Sequence, residues 1–472
     1  MNTRTKSILK NINYTVTANF IVMGISIILN LIVPRYLGVK EYSYWQLYVF
    51  YSGYVGFFHL GWIDGIYLKI GGEKYNQINK KNLGTQFWYL FISQSFIAMI
   101  VVILLTFNGL STNRFMIIYS TAFVLIITNC RTFILFIFQA TNRIKEYAQL
   151  SRNDRYIYIF VVCLYLISGG KNFAFLIVLD ILSKLFLLLW GVYRIRDLIF
   201  VRLIPFKIAI KDIAKNIKIG INLMIGNIAS MLVIGITRLL VERQWSIEVF
   251  GRLSLTISIS NMFMTFINAV GVVMFPLLRR TDKKNLKKLY LVLRNLFVPL
   301  TYGILLIFIP LKFLLNLWLP QYTQSLVFMG ILFPMVIYEG RMALLISTYL
   351  KTIREEKIIL IVNVVTLMFS VAISFITVYG LNNIYLTVVG IIFCLALRCI
   401  MAESILLKIL GIRLEFNMII ETFLTIIFVV VSSYSSLIGS FVIYSICYVI
   451  FIILNRNGIR KSMKEVIILM RN

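Results

Sequence analysis

Apolar runs long enough to cross a bilayer recur along the whole of this chain. They fall near residues 12–33, 43–68, 86–108, 115–138, 156–169, 173–193, 219–241, 250–278, 289–311, 324–350, 358–379, 385–407, 417–434 and 437–454. A spanning helix needs about 20 apolar residues, and in lipid every backbone polar group must find its partner within the element. The pattern predicts an all-α integral membrane protein with about fourteen transmembrane helices. A transmembrane β-barrel would show short alternating segments instead. Of the 472 residues 60% are hydrophobic and only 14% are charged. A water-facing surface commonly needs about a quarter charged residues, so lipid is the main solvent.

The formal charge of +29 suggests a nucleic-acid partner until its placement is read. Lys and Arg sit in short connections between apolar runs, and no stretch interleaves them with stacking aromatics on a polar face. This is the positive-inside pattern, and no nucleic acid is expected. With the N-terminus inside, about 34 of the 47 Lys and Arg fall on cytoplasmic segments and about 6 outside, so both termini are placed in the cytoplasm. The first run has no small-residue cleavage site after it and reads as a retained helix. Cys130, Cys163, Cys394, Cys399 and Cys447 lie in apolar runs without CxxC spacing, so neither a metal site nor a cofactor is expected.

The 194–218 connection is the best linker candidate. Phe206, Ile210, Ile213, Ile217 and Ile221 recur at helical spacing, with Lys207, Lys211, Lys215 and Lys218 on another face. Such a helix suits an anionic membrane surface; an extended start of the next span is the alternative. An internal repeat flanks it. Asn30–Gln46 aligns without gaps on Arg238–Ser254, pairing Val33 with Val241, Arg35 with Arg243 and Tyr42 with Phe250. KKNL recurs at Lys80–Leu83 and Lys283–Leu286, and TNRIKE (Thr141–Glu146) parallels TIREEK (Thr352–Lys357). A unit of about six helices returns the chain to the same side, so the copies should be parallel lobes about an axis along the membrane normal, with a cavity between them. The expected domains are 1–193, the 194–218 basic linker, 219–410, and 411–472 with two further helices and a basic tail.

The segment PRYLGVKEYSYW (Pro34–Trp45) followed by FFHLGWIDGIYLKIGG (Phe57–Gly72) resembles the polysaccharide-biosynthesis flippase family. That family lies within the superfamily of multidrug, oligosaccharidyl-lipid and polysaccharide exporters. The resemblance implies export of an undecaprenyl-diphosphate-linked oligosaccharide across the bacterial cytoplasmic membrane, with other polysaccharide-assembly membrane proteins as partners.

Ionisable groups within spans are costly and mark a cavity or one another. At about 1.5 Å rise per residue, Lys184, Glu339, Arg341 and Arg398 fall near mid-membrane. Arg131 lies deeper toward the cytoplasm, Arg238 and Arg252 near the outer mouth, and Asp180 in the outer half of its helix. Asp64 and the single histidine, His59, share the second helix. Arg341, Arg398, Arg131 and Lys184 outnumber Asp180 and Glu339, which favours an anionic head group over a cationic drug. Arg238, Arg252, Arg35 and Arg243 complete the candidate substrate-binding set. Asp180, Glu339 and Asp64 are the candidates for ion coupling. Asp180 and Lys184, four apart, equally suit a self-satisfied pair, and Arg294 should snorkel at its helix end.

A flippase for a lipid-linked anionic oligosaccharide, working by alternating access, fits these features best. A multidrug or metabolite exporter, or a peptidoglycan-precursor flippase, would share the fold. A glycan polymerase or glycosyltransferase needs acid and base groups on water-facing loops. The external loops are short and offer mainly Glu41, Glu242 and Glu248, so no enzyme is expected.

Overall fold

In a computed structural model the chain is helical throughout, with no strand among the described residues, which are 24–25, 27–106, 111–280, 283–412 and 417–471. Most of the first predicted apolar run therefore lies outside them. The chain divides into two compact units, Met1–Ile228 and Ala229–Asn472.

The first unit holds α1 (Ile27–Leu37), α2 (Val39–Tyr54), α3 (Trp62–Ile70), α4 (Lys80–Thr106), α5 (Thr112–Ala140), α6 (Ile144–Ile167), α7 (Phe173–Arg194), α8 (Arg196–Ile199) and the first half of α9 (Phe206–Gln244). Its core gathers Trp62, Ile63, Leu90, Phe133, Ile137 and Leu198. The second unit holds the rest of α9, then α10 (Ile247–Arg280), α11 (Lys283–Trp318), α12 (Thr323–Leu332), α13 (Met335–Gly340), α14 (Thr348–Thr352), α15 (Glu356–Phe375), α16 (Ile384–Ile409), α17 (Asn417–Tyr434) and α18 (Leu437–Arg471). Among the described residues nine helices are long and apolar enough to span a membrane, and a bent pair over Pro320–Thr352 makes a tenth. Of the remaining predicted runs, 43–68 is broken, 156–169 lies in the more polar α6, and 250–278 lies in the unbroken 34-residue α10. The chain is a multi-pass α-helical membrane protein.

Local chemistry explains the breaks. The run 43–68 is interrupted by a 3₁₀ turn, Val55–His59, and by Leu60 and Gly61 at φ 54° and 78°. The His59 ring accepts the Gly61 N–H at 3.1 Å, satisfying a donor at the start of α3. In the second unit the chain bends by 49° at Phe333–Pro334, where proline removes a helical donor. Beyond α13 the helix widens into π geometry over Arg341–Ser347.

Helices in lipid gain little from hydrophobic burial against one another, so close backbone approach and polar contacts hold them together. The crossing of α3 with α9 is the tightest case. A Cβ on Gly65 would stand 1.8 Å from the Asn216 carbonyl oxygen, and one on Gly220 would stand 2.0 Å from that of Gly61. The glycines of the LGWIDGI segment thus serve a backbone-to-backbone contact. Beside it, Asn216 and Trp62 both donate to the buried Gln86 Oε1 (2.9 and 2.8 Å).

This crossing also settles the form of the linker. Residues 206–218 are not a separate surface helix but the first turns of a 39-residue helix running on into the next span. No proline interrupts it, and Ile213 and Ile217 pack into the core of the first unit while Phe206 and Ile210 stay exposed.

The aligned segments share some local geometry. Val33 and Val241 are fully buried, as are Tyr42 and Phe250, and Tyr42 N–H bonds Gly38 O as Phe250 N–H bonds Ser246 O. The turns ending α5 and α14 also match, but one residue away from the alignment of TNRIKE on TIREEK. The left-handed residues are Asn142 (φ 60°) and Arg354 (φ 65°), each followed by an N–H bonded back five residues at 2.8 Å.

Candidate functional site

The intramembrane charges of the first unit meet where α2, α5, α6 and α7 converge. Asp180 and Lys184, one turn apart on α7, form an ion pair. Tyr48 on α2 donates its hydroxyl to Asp180 Oδ2 at 2.6 Å, and Lys184 Nζ lies 5.8 Å from the Tyr48 ring centre. Trp45 Nε1 donates to the Tyr158 hydroxyl at 3.1 Å, joining α2 to α6. Arg131 on α5 and Arg155 on α6 both act electrostatically on Lys184, and Arg155 acts also on Asp180. Counted along their helices, Arg131, Arg155 and Lys184 lie about 14–17 Å from the same end of the unit. The structure thus brings together Arg131, Lys184 and Asp180 and adds Arg155, which sequence reasoning passed over. Its place in the polar start of α6 hid how far into the helix layer it sits.

In the second unit two separate ionic groups form. Arg398 on α16, 2% exposed, pairs with Glu339 on α13 and donates to Ser230 Oγ at 3.0 Å. Arg341 pairs with Glu403 on α16 and, at 2.8 Å, with Glu421 on α17. Arg294 on α11 bonds the same carboxylates, Glu403 at 2.7 Å and Glu421 at 3.0 Å. Tyr290 donates to Glu403 at 2.9 Å. Two guanidiniums and two carboxylates make a neutral, almost fully buried quartet. Arg294 therefore does not snorkel, because two carboxylates in the layer hold it there. Glu403 and Glu421 were missed by following cations; scanning the spans for carboxylates finds both.

The other candidates stand apart from these groups. Arg238 donates to Ser254 Oγ at 2.9 Å and lies over the Phe250 ring, and Arg252 bonds Gln324. Arg35 and Arg243 are exposed at helix ends. Asp64, mostly buried, has His59 Nε2 at 3.8 Å. Among the described residues no group of three His, Cys, Asp or Glu is placed to hold a metal ion.

Paired charges deep in the helix layer of an α-helical membrane protein mark a candidate functional site. No family model and no curated protein sequence matches the chain. Solved structures do. The Lipid II flippase MurJ in an inward closed conformation superposes with a TM-score of 0.67 at 12% identity, over 94% of this chain and 99% of that one. A multidrug resistance MATE family transporter of the MOP superfamily matches in its inward-facing conformation (TM-score 0.61, 11% identity, 84% and 99% covered). An outward-facing MATE transporter matches at 0.54 and 12% identity, over 85% and 96%. At such identities the likeness defines the fold: the chain has the fold of MOP superfamily transporters.

Proposed function

We propose that the protein flips an undecaprenyl-diphosphate-linked oligosaccharide across the bacterial cytoplasmic membrane by alternating access, with both termini on the cytoplasmic side. The observation that carries the reading is the placing of Arg131, Arg155 and Lys184 at one depth of the first unit, with Asp180 one turn from Lys184 and paired to it. A diphosphate carries the opposite charge to these cations and accepts forked bonds from guanidinium groups. A diphosphate cannot cross hydrocarbon unaided, because desolvating its charges costs far more than thermal energy supplies. In this reading Arg131, Arg155 and Lys184 meet the phosphates, and Asp180 holds Lys184 when they are absent. A peptidoglycan precursor is the second reading, favoured by the likeness to a Lipid II flippase.

The test is flipping of a fluorescent lipid-linked oligosaccharide in vesicles carrying the purified protein. A charge-assisted hydrogen bond contributes about 1.5–3 kcal/mol, so Arg131→Gln or Arg155→Gln should slow flipping by about ten-fold or more. Unchanged flipping by the double variant, in protein that stays monodisperse, refutes the assignment. Faster flipping of a peptidoglycan precursor than of oligosaccharide would select the second reading.

A further inference from the structure

Between α7 and α9 the chain leaves helical geometry at residues 200–205 yet exposes large apolar side chains. Phe200 is 67% exposed, Leu203 51% and, at the start of α9, Phe206 60%. An irregular backbone cannot lie in hydrocarbon with its polar groups unmet, and such a run gains nothing from open water. The boundary between head groups and acyl chains satisfies both conditions.

The neighbouring packing fixes the segment at that level. Ile204 N–H donates to Thr85 Oγ1 at 3.0 Å, and Trp88 Nε1 donates to Ile199 O at 3.1 Å. Phe200 and Phe206 stand edge-on to Trp88 and Tyr89. A Cβ on Gly84 would meet Leu198 O at 2.0 Å, so α8 presses directly on α4. All these contacts lie within the first turns of α4, where an interfacial aromatic belt is expected.

Charge then selects the surface. Arg194, Arg196, Arg202, Lys207, Lys211 and Lys215 are all exposed along this edge. Its two acids are each taken up by neighbours: Asp197 by Lys80 (2.6 Å) and Tyr75 (2.8 Å), Asp212 by Asn82. What faces outward is apolar side chains flanked by cations.

We infer that residues 194–211 form a membrane-surface wedge that inserts Phe200, Leu203 and Phe206 at the acyl boundary and binds the phosphates of anionic phospholipid head groups through Arg194, Arg196, Arg202 and Lys207. The site is independent of the transported cargo, because none of these residues belongs to the Arg131–Lys184 group.

A tryptophan at Phe206 reads the inference directly. The full chain carrying Phe206→Trp is placed in vesicles whose lipids are brominated on the acyl chain, once on phosphatidylglycerol and once on phosphatidylcholine in the same mixture. The signal is referred to the same chain without the added tryptophan. Quenching is expected with both lipids and stronger with phosphatidylglycerol. Each cation replaced by Gln among the four should lower that preference by about five-fold, and salt near 1 M should erase most of it, since the screening length falls to about 3 Å. Quenching that is equal for the two lipids overturns the head-group site, and absence of quenching by either overturns the wedge. The Phe206→Trp chain with its cations intact provides both readings even if the four-fold Gln variant does not fold.

Discussion

Replacing Glu403 by Gln probes the quartet of the second unit most sharply. Glu403 is fully buried and receives hydrogen bonds from Tyr290, Arg294 and Arg341. The substitution preserves shape but removes one of the two negative charges facing Arg294 and Arg341. It also turns an amide N–H toward one of three donors, so at least one loses its acceptor. Removing one partner of a buried ion pair costs about 3–5 kcal/mol. For a folding unit of this size each kcal/mol lowers the melting temperature by about 2–4 °C, which gives a fall of about 10 °C. The buried thiols of Cys394 and Cys399 supply the assay, because a thiol-reactive dye reaches them only as the unit opens. Arg294→Gln alone should be similarly damaging. The double variant restores neutrality and should recover about 1–3 kcal/mol relative to the sum of the singles. A Glu403→Gln protein melting within about 2 °C of the parent, or strictly additive losses in the double, refutes the account of a charge-balanced quartet.

Gly65→Ala places a methyl 1.8 Å from the Asn216 carbonyl oxygen, so α3 and α9 must part at a cost of about 1–3 kcal/mol. Gly53→Ala, where nothing lies within 4 Å, should be neutral or stabilising; equal behaviour of the two in thermal melts would contradict the crossing. Although partial burial pulls the other way, hydrogen bonds from Lys80 and Tyr75 hold Asp197 below the ordinary carboxylate range. A depressed folded value gives stability that is present above the unfolded value near 4 and lost as pH falls through the folded one. The small melting difference between Asp197→Asn and the parent should therefore persist at neutral pH and shrink below about pH 4; a difference that grows on acidification would reverse the assignment.

Much of the fold was legible because lipid imposes a simple rule on sequence: apolar length becomes helix. The places where that rule faltered are those where backbone chemistry overrides hydropathy. Leu60 and Gly61 break a run that looks continuous, because two left-handed residues end the 3₁₀ turn and let α3 meet α9. Residues 206–218 carry the charge pattern of a surface helix, yet Asn216 and Gly220 fix them to α3 and continue them into the next span. The pairing of Asp180 with Lys184 followed from their spacing of four, which puts both on one face. Glu339 and Arg341 point apart, as a spacing of two requires, and each found its partner on a distant helix. Those long-range partners were not legible, since nothing in the local pattern around Glu403 or Glu421 announces an arginine 62 to 127 residues earlier.

That separation has a consequence for how the chain is made. Arg294 enters the membrane 109 residues ahead of Glu403 and 127 ahead of Glu421. At ribosomal speeds of about 5–20 residues per second, Arg294 waits roughly 6–25 s for its second carboxylate. Through that interval the guanidiniums of Arg294 and Arg341 outnumber the carboxylates that have arrived to pair them, which makes arrival of α17 the step that completes the quartet. A polypeptide stopped short of Glu421 would stay incomplete at this point, and membrane quality control could recognise it by the unanswered charge.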